Sequence, residues 1–305
     1  MHRPDNQARA ADQGMPRRAV LARGLAAGIA AASLGPERRS IATTAVTGAN
    51  VSEALATILE ALIAERVATG FVFTEGPLWH PDGWWYFVDL RRSLLLRWSS
   101  GHEAAAVRED TGEGNGLTCD RQGRLLMCEG GHRRVTRMEP GGTLTTLADR
   151  WQGKRLNRPN DVVCRADGSV YFTDPGLRVP PEERELESSP VFRVAPDDTL
   201  MLATTDCEYP NGLAFSPDEQ ILYVANSRPR KYIRAFNVQP EGTLTNSRVF
   251  AEMESTEEGV PDGMKVDTQG RIFCTGPGGR CACRNSCRNS RPIAPLGALT
   301  TGHSC

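Results

Sequence analysis

Five residues of the chain place an oxygen-bearing side chain at the same point of a recurring pattern: Glu75, Asn115, Asn160, Asn211 and Asp262. Two are carboxylates and three are amides. If they converge, they offer only oxygen donors and two negative charges, which suits a hard divalent cation, Ca2+ above all. Without a cation, Glu75 and Asp262 would repel each other in a confined space. Asn, Asp and Gly ahead of a strand are also common turn formers, so one such residue would mean little. Five in register, the first a glutamate and therefore a poor turn residue, point to a site.

The residues around them say what would position that site. Each is followed by an apolar pair, a turn and a β-rich run. Glu75-Gly76-Pro77-Leu78-Trp79 leads through Pro81-Asp82-Gly83 to Trp85-Tyr86-Phe87-Val88, and Asn115-Gly116-Leu117-Thr118 leads to Leu125-Leu126-Met127-Cys128. Asn160-Asp161-Val162-Val163, Asn211-Gly212-Leu213-Ala214-Phe215 and Asp262-Gly263-Met264-Lys265-Val266 open the other three copies. Successive leading residues lie 40, 45, 51 and 51 positions apart. Repeats of this length with several short strands each predict the blades of an all-β propeller. The Asp-Gly and Gln-Gly pairs between apolar runs read as hairpin turns. A TIM barrel would need long helical patterns between its strands, and none follows residue 70. In a propeller the innermost strand of each blade lines a central channel, so a residue repeated at one place in every blade points at one axis.

Composition narrows the partners. The chain has 305 residues, with 36 Lys and Arg against 37 Asp and Glu, so no basic face for nucleic acid is implied. No apolar run is long enough to span a membrane. Arg17-Arg18 before a weakly apolar stretch reads as a twin-arginine export leader over residues 1–48, and predicts delivery to a bacterial periplasm. Cys281, Cys283, Cys287 and Cys305 crowd the C-terminus but lack paired Cys-x2-Cys spacing, so no zinc site is expected there.

With these residues in view, the sequence resembles the gluconolactonase / senescence-marker-protein (regucalcin-like) family. The resemblance is carried by Phe73-Thr74-Glu75-Gly76-Pro77, Arg158-Pro159-Asn160-Asp161, Tyr171-Phe172-Thr173-Asp174-Pro175, Pro210-Asn211-Gly212-Leu213-Ala214-Phe215 and Pro261-Asp262-Gly263-Met264, over roughly residues 65–279. It implies a six-bladed propeller that hydrolyses sugar lactones with one divalent cation, most readily Ca2+, with Zn2+, Mn2+ or Mg2+ as alternatives. Carried over by position, Glu75, Asn211 and Asp262 would hold the cation, with Asn160 a further candidate ligand. Arg158 and Asn160 would orient substrate oxygens, Asn115 would face the substrate, and Asp262 would also accept a proton from water. Asp174, at the end of the third inner run, is weighed for the same face, but the reading that keeps it off that face is preferred. Family members from bacteria often carry Cys-Glu-His-Gly after the second inner strand, whereas this chain has Cys128-Glu129-Gly130-Gly131-His132, which places His132 in a surface loop and alters the site.

The family continues with another blade where this chain, after Gly279, turns to a Cys/Arg/Asn and then Arg/Pro/Ala/Thr text without period-2 alternation. The expected organisation is therefore a leader (1–48), propeller blades (49–279) and an aberrant tail (280–305), with the last blade incomplete. A shifted reading frame or a truncation accounts for the break.

The chemistry expected is lactone hydrolysis by a cation-activated water in the channel. No Gly-x-Ser-x-Gly elbow is present to suggest a serine nucleophile. His80 reads as a turn residue, and Trp84, Trp85 and Trp98 as packing. The alternative is a non-enzymatic calcium-binding propeller that binds a ligand or partner. Arg158 beside Asn160 argues against it, since a structural cation does not need an arginine facing it. Phosphoester hydrolysis would want more converging His and Asp ligands than are visible. Translation of the coding DNA in its other frames is expected to continue the repeat beyond residue 279; a single clean frame with no hidden blade would overturn the frame-shift explanation.

Overall fold

The structure is a computed structural model that describes residues 65–279 and the backbone of a strand at 281–285. The leader and most of the C-terminal tail lie outside the described residues. Apart from four short 3-10 turns, the regular structure described is all strand.

Five antiparallel sheets follow one another along the chain. The first holds β1 (Thr74–Trp79), β2 (Trp85–Asp89), β3 (Leu94–Trp98) and β4 (Ala105–Arg108). The second holds β5 (Gly114–Cys119), β6 (Leu125–Glu129), β7 (Arg134–Met138) and β8 (Leu144–Ala148). A small hairpin, β9 (Arg150–Trp151) with β10 (Lys154–Arg155), leads to the third sheet, β11 (Val162–Cys164), β12 (Val170–Thr173), β13 (Val191–Val194) and β14 (Leu200–Thr204). The fourth holds β15 (Pro210–Phe215), β16 (Ile221–Asn226), β17 (Tyr232–Val238) and β18 (Leu244–Glu252), and the fifth β19 (Met264–Val266), β20 (Arg271–Thr275) and β21 (Cys281–Asn285). Every sheet keeps sequential strand order, as blades do. The fifth sheet runs past the boundary expected at 279, because residues 281–285 pair with all of β20.

Each blade begins with a hairpin whose turn is closed by an aspartate. Asp120 Oδ1 accepts Gln122 N and Arg124 N, both at 2.9 Å, and Asp267 Oδ1 accepts Gln269 N at 3.0 Å and Arg271 N at 2.8 Å. Asp82, Asp167 and Asp218 accept the amide two residues on in the same way. Such Asx turns let a side chain stand in for a backbone acceptor. His80 sits in the first of these turns, as expected, and its Nε2 also lies 2.7 Å from Gly123 O in the next blade.

The core lies between blades. Along β16, Leu222 and Val224 pack toward the third sheet with Tyr171, Tyr232 and Phe236, while Tyr223 and Ala225 pack toward the fifth with Met264 and Ile272. Strand periodicity of two sends neighbouring residues to opposite faces, and a sheet sandwiched on both sides buries both. The second and third sheets share Leu126, Val135, Leu156, Phe172 and Phe192, and the first and second share Val88, Leu95, Leu117 and Met127. Each such side chain, fully buried, contributes roughly 1.5–3 kcal/mol. Trp79 and Trp85 pack together at 5.5 Å, and Arg97 stacks 4.5 Å from Trp84, so the tryptophans act in packing as expected.

A buried ion cluster pins the second blade. The Glu129 side chain is 0% exposed and accepts hydrogen bonds from Arg108 Nη1 (2.6 Å), Arg134 Nε (2.7 Å) and Thr136 Oγ1 (2.8 Å), with His132 Nδ1 at 2.9 Å. His132 lies exposed in a surface turn, as expected, and from there also braces Glu129. Burial alone would raise the Glu129 carboxyl; the hydrogen bonds from Arg108, His132, Arg134 and Thr136 outweigh it and hold the group below its ordinary range. A depressed folded-state value means this stabilisation is present above the unfolded carboxyl's pKa, about 4.3, and is lost as pH falls through the lower folded value. Glu129→Gln is expected to cost about 3–5 kcal/mol in urea unfolding at neutral pH. The gap from wild type should narrow as pH falls below about 4.3; a gap that stays constant down to unfolding would overturn the account.

Candidate active site

The first strands of successive blades lie side by side: β1 by β5, β5 by β11, β11 by β15 and β15 by β19. This is the inner ring, and the five candidate residues stand at its N-terminal rim. In three blades the ladder between the first and second strands breaks at that point. Register shifts fall between Glu75 and Leu78, between Gly114 and Leu117, and between Pro210 and Leu213. Such bulges free a residue from the ladder and re-aim its side chain, here at the channel. In the third and fifth blades, Asn160 and Asp262 precede the strands altogether.

The residue after each candidate sets the spacing. A β-carbon at Gly76 would collide with Asn115 O, one at Gly116 with the Asp161 carboxylate, and one at Gly212 with Asp262 O. Glycine is therefore required by close approach of one blade's backbone to the next. Hydrogen bonds cross the same seams. Gly116 N donates to Asn160 O at 2.8 Å, Thr173 Oγ1 to Asn211 O at 2.8 Å, and Ser227 Oγ to Pro261 O at 2.6 Å. The structure thus brings all five candidates to one rim in the order Glu75, Asn115, Asn160, Asn211, Asp262.

Asn115, Asn160 and Asn211 are buried, while Glu75 and Asp262 keep partial access to the channel. The Asn211 amide donates to Ser227 Oγ at 3.0 Å and also to Asp262. Burial first, then the charges of Asp262 and Asp161, push the Glu75 carboxyl well above its ordinary range. Burial and Asp161 raise Asp262 as well, with the Asn211 hydrogen bond and Arg178 opposing. Two recessed carboxylates whose charges are disfavoured by burial and by neighbouring acids are held in ionised form by added positive charge. The donors here are carboxylate and amide oxygens, a set that fits a hard divalent cation. Among the described residues, no three His, Cys, Asp or Glu side chains form a metal cluster by themselves, so the amide of Asn211 would have to complete the set.

Arg158 stands beside Asn160 and pairs with Glu113 through one terminal nitrogen. Its Nε is buried without a hydrogen-bond partner, and Gly130 lies against it, with an ideal β-carbon 3.8 Å away. At Gly130 a β-carbon would be in ordinary contact with Pro159 O, Glu113 O and Arg158 Nε, so the glycine backs closely onto the Arg158 segment. Asp174, weighed for the substrate face but not preferred there, is buried and bound to backbone. Its Oδ2 accepts Asn157 N at 2.8 Å, the Arg158 amide also reaches it, and the Asn157 side-chain amide donates to Asp174 O at 2.9 Å. It is a buried brace for the turn that carries Arg158, and burial pushes its carboxyl up to about 7.

Two participants escaped the sequence reading. Asp161 occupies the place that is Gly in the other four copies, accepts Val162 N and Leu213 N, and adds negative charge beside Glu75 and Asp262. The signal was present, as the one acid at a position otherwise glycine. Arg178, in the 3-10 turn Gly176–Arg178 after β12, projects positive charge onto Glu75, Asp262 and Tyr209. It lies outside the repeat, where spacing carries no signal.

The propeller with oxygen donors at one rim defines a class, and comparison names the family within it. The pattern described as SMP-30/Gluconolactonase/LRE-like region matches residues 73–290, and the chain belongs to that family. The gluconolactonase of Zymomonas mobilis is 32% identical over 242 residues, covering 70% of this chain and 67% of that protein. The pentonolactonase of Haloferax volcanii is 30% identical over 227 residues, covering 72% of each. Among solved structures, a gluconolactonase of Xanthomonas campestris is 35% identical with a TM-score of 0.62, over 70% of this chain and 72% of its own. A calcium-binding regucalcin of Agrobacterium tumefaciens, 20% identical at a TM-score of 0.62 over 75% of this chain and 76% of its own, shares the fold.

The seam geometry sets a paired test. At Gly212 a β-carbon meets backbone atoms of Asp262, Gly263 and Met264, whereas at Gly263 it meets nothing within 4 Å among the described residues. Gly212→Ala is expected to lose about 1–3 kcal/mol in urea unfolding, and Gly263→Ala to stay within about 0.5 kcal/mol of wild type. Equal losses in the two would remove the close approach as the reason for glycine.

Proposed function

We propose that the chain is a lactonase that hydrolyses a sugar lactone at the rim of its channel with one bound divalent cation, Ca2+ being favoured by the all-oxygen donor set. The observation that carries this reading is the facing pair Glu75 and Asp262, joined by the Asn211 amide and sunk where burial and mutual repulsion disfavour their charges. The lactonase relatives from Zymomonas, Haloferax and Xanthomonas support the reaction class.

Glu75, Asn211 and Asp262 would hold the cation, with Asn160 the next donor along the rim. When bound, the cation supplies Lewis-acid polarisation of the lactone carbonyl and offsets negative charge on its oxygen. Asp262 would accept a proton from water as the water oxygen bonds to the carbonyl carbon, and would return that proton to the ring oxygen as the carbonyl carbon–ring oxygen bond breaks, leaving the hydroxy acid. Asn211 fixes the Asp262 carboxylate through its amide hydrogen bond, and Ser227 fixes Asn211 in turn. Arg158 and Asn160 orient substrate oxygens, with the Asn115 side chain closing the same rim on the other side. Asp174 keeps Arg158 in place by holding the turn before it.

The test is turnover of glucono-δ-lactone by the purified chain, with chelator and then with calcium restored. Activity should vanish and return, and Asp262→Asn should lower kcat by about 10²–10⁴-fold, the scale of a general base. A folded, calcium-loaded protein that turns over no lactone would sink the enzymatic reading and leave a calcium-binding propeller.

A further inference from the structure

The loops that follow the second strand of a blade leave at the same end as the candidate residues. This follows from pairing: Thr74 lies opposite Asp89, Val162 opposite Phe172, and Pro210 opposite Asn226. In the first, third and fourth blades these loops carry Arg91, Arg178 and Arg228. Arg158 reaches the same end from the segment before β11. Tyr209 sits among them just ahead of Asn211, with the Arg228 guanidinium 5.1 Å from its ring, and it feels the charges of Arg178, Arg228, Asp262 and Arg158. Arginines thus collar the mouth of a channel whose floor is acidic.

The charges of the floor and the collar do not cancel. A divalent cation would match Glu75 and Asp262, Lys265 faces Asp161, and Glu113 pairs with Arg158. Glu183 is felt by Arg158 and by Arg133. That leaves Arg178 with no hydrogen bond or ion pair to any described residue, although it is only partly exposed. With the cation in place, Arg178 would be a like charge beside it, which is unfavourable unless an anion comes to lie between them. Burial and the nearby charges of Arg178 and Arg91 already lower the proton affinity of Arg158. A neutral sugar lactone gives nothing back for holding these arginines together. A second anionic group on the substrate would, by charge-assisted and often bidentate hydrogen bonds.

We infer that this mouth selects lactones that carry an additional anionic group, a carboxylate or a phosphate, and that Arg178 is the residue that receives it, with Arg158 beside it and Arg91 and Arg228 adding field at the entrance. This rests on the lactonase reading for the identity of the ligand, but its test does not depend on turnover. Binding of the open-chain acids is measured by calorimetry on the full chain with calcium present, comparing gluconate, glucarate and 6-phosphogluconate. The wild type is expected to bind at least one of the doubly anionic acids about tenfold or more tighter than gluconate, the scale of one charge-assisted hydrogen bond. Tightening by 6-phosphogluconate alone assigns the group as phosphate, and tightening by glucarate alone assigns it as carboxylate. Arg178→Gln should bring the three acids to within about twofold of one another, and Arg178→Lys should restore part of the preference. If Arg178→Gln fails to fold, the wild-type preference should still shrink between about 0.05 and 0.5 M NaCl. Three acids that bind alike, or none that binds, would overturn the inference, as would a preference that survives Arg178→Gln or is insensitive to salt. A lactonase assay that fails while the charge preference holds would instead sink the enzymatic reading and leave the anion-selective mouth standing.

Discussion

Where Gly76, Gly116 and Gly212 leave room, the first strand of one blade lies with its backbone against the next, and Gly116 N, Thr173 Oγ1 and Ser227 Oγ carry hydrogen bonds across the gap. This close approach is the constraint on which the channel depends. A β-carbon at any of the three glycines would push neighbouring blades apart, and the rim residues would separate with them. The bulges at Glu75, Asn115 and Asn211 serve the same end, since they release a side chain from the ladder just where the backbones meet. The outer strands contribute through apolar burial between blades, which resists opening but does not set the position of any one rim atom.

Drawing the rim together has an electrostatic cost. Glu75, Asp161 and Asp262 are forced within reach of each other's charge in a recessed place, and burial adds to the repulsion. A structure that only needed to pack would put apolar or amide groups there. Instead the neighbouring groups hold the acids in fixed poses. Asn211 bridges Ser227 and Asp262, Asp161 accepts two backbone amides, and Asp174 ties down the Asn157 segment that carries Arg158. Rigid supports of this kind resist the relaxation by which like charges would otherwise move apart, so the proposed cation would meet preformed donors rather than having to assemble them.

Much of this was legible before any coordinates. A repeat of 40 to 51 residues with one polar residue at a fixed place implied both the blades and the convergence of Glu75, Asn115, Asn160, Asn211 and Asp262. It was legible because strand periodicity and repetition are the same statement in a propeller: equal sequence positions become equal positions on the ring. The residues misread or missed lie where that equivalence stops. Asp174 ends an inner run, and the spacing did not show that two backbone amides and burial make it a brace. His132 is exposed in a turn, as its Gly-Gly context suggests, and what the spacing did not show is its contact with Glu129 beneath it. The strand at 281–285 shows no alternation, and it pairs because β20 presents an open edge to it rather than through its own pattern. Arg178 has no repeat partner at all, so only the fold could bring it to the rim.

The same distinction separates the two tasks of the site. Inner-ring residues are held against the first strand of an adjoining blade, so a change at Glu75, Asn211 or Asp262 would disturb the architecture as well as any chemistry there. Loops after the second strands are tied at their ends only, and their tips can change without moving the ring. A propeller of this family can therefore keep one set of oxygen donors and alter its ligand preference by what those loops present. In this chain the loops present Arg91, Arg178 and Arg228, and the place beside Arg158 is held by Gly130 rather than by a larger side chain. Positive charge above an acidic floor gives the channel a field that runs along its axis, strongest where solvent is most excluded. On the proposed reading, a ligand with anionic groups at both ends, one that hydrolysis over the acidic floor would form and one already present at the mouth, is the shape of charge that such a field would orient.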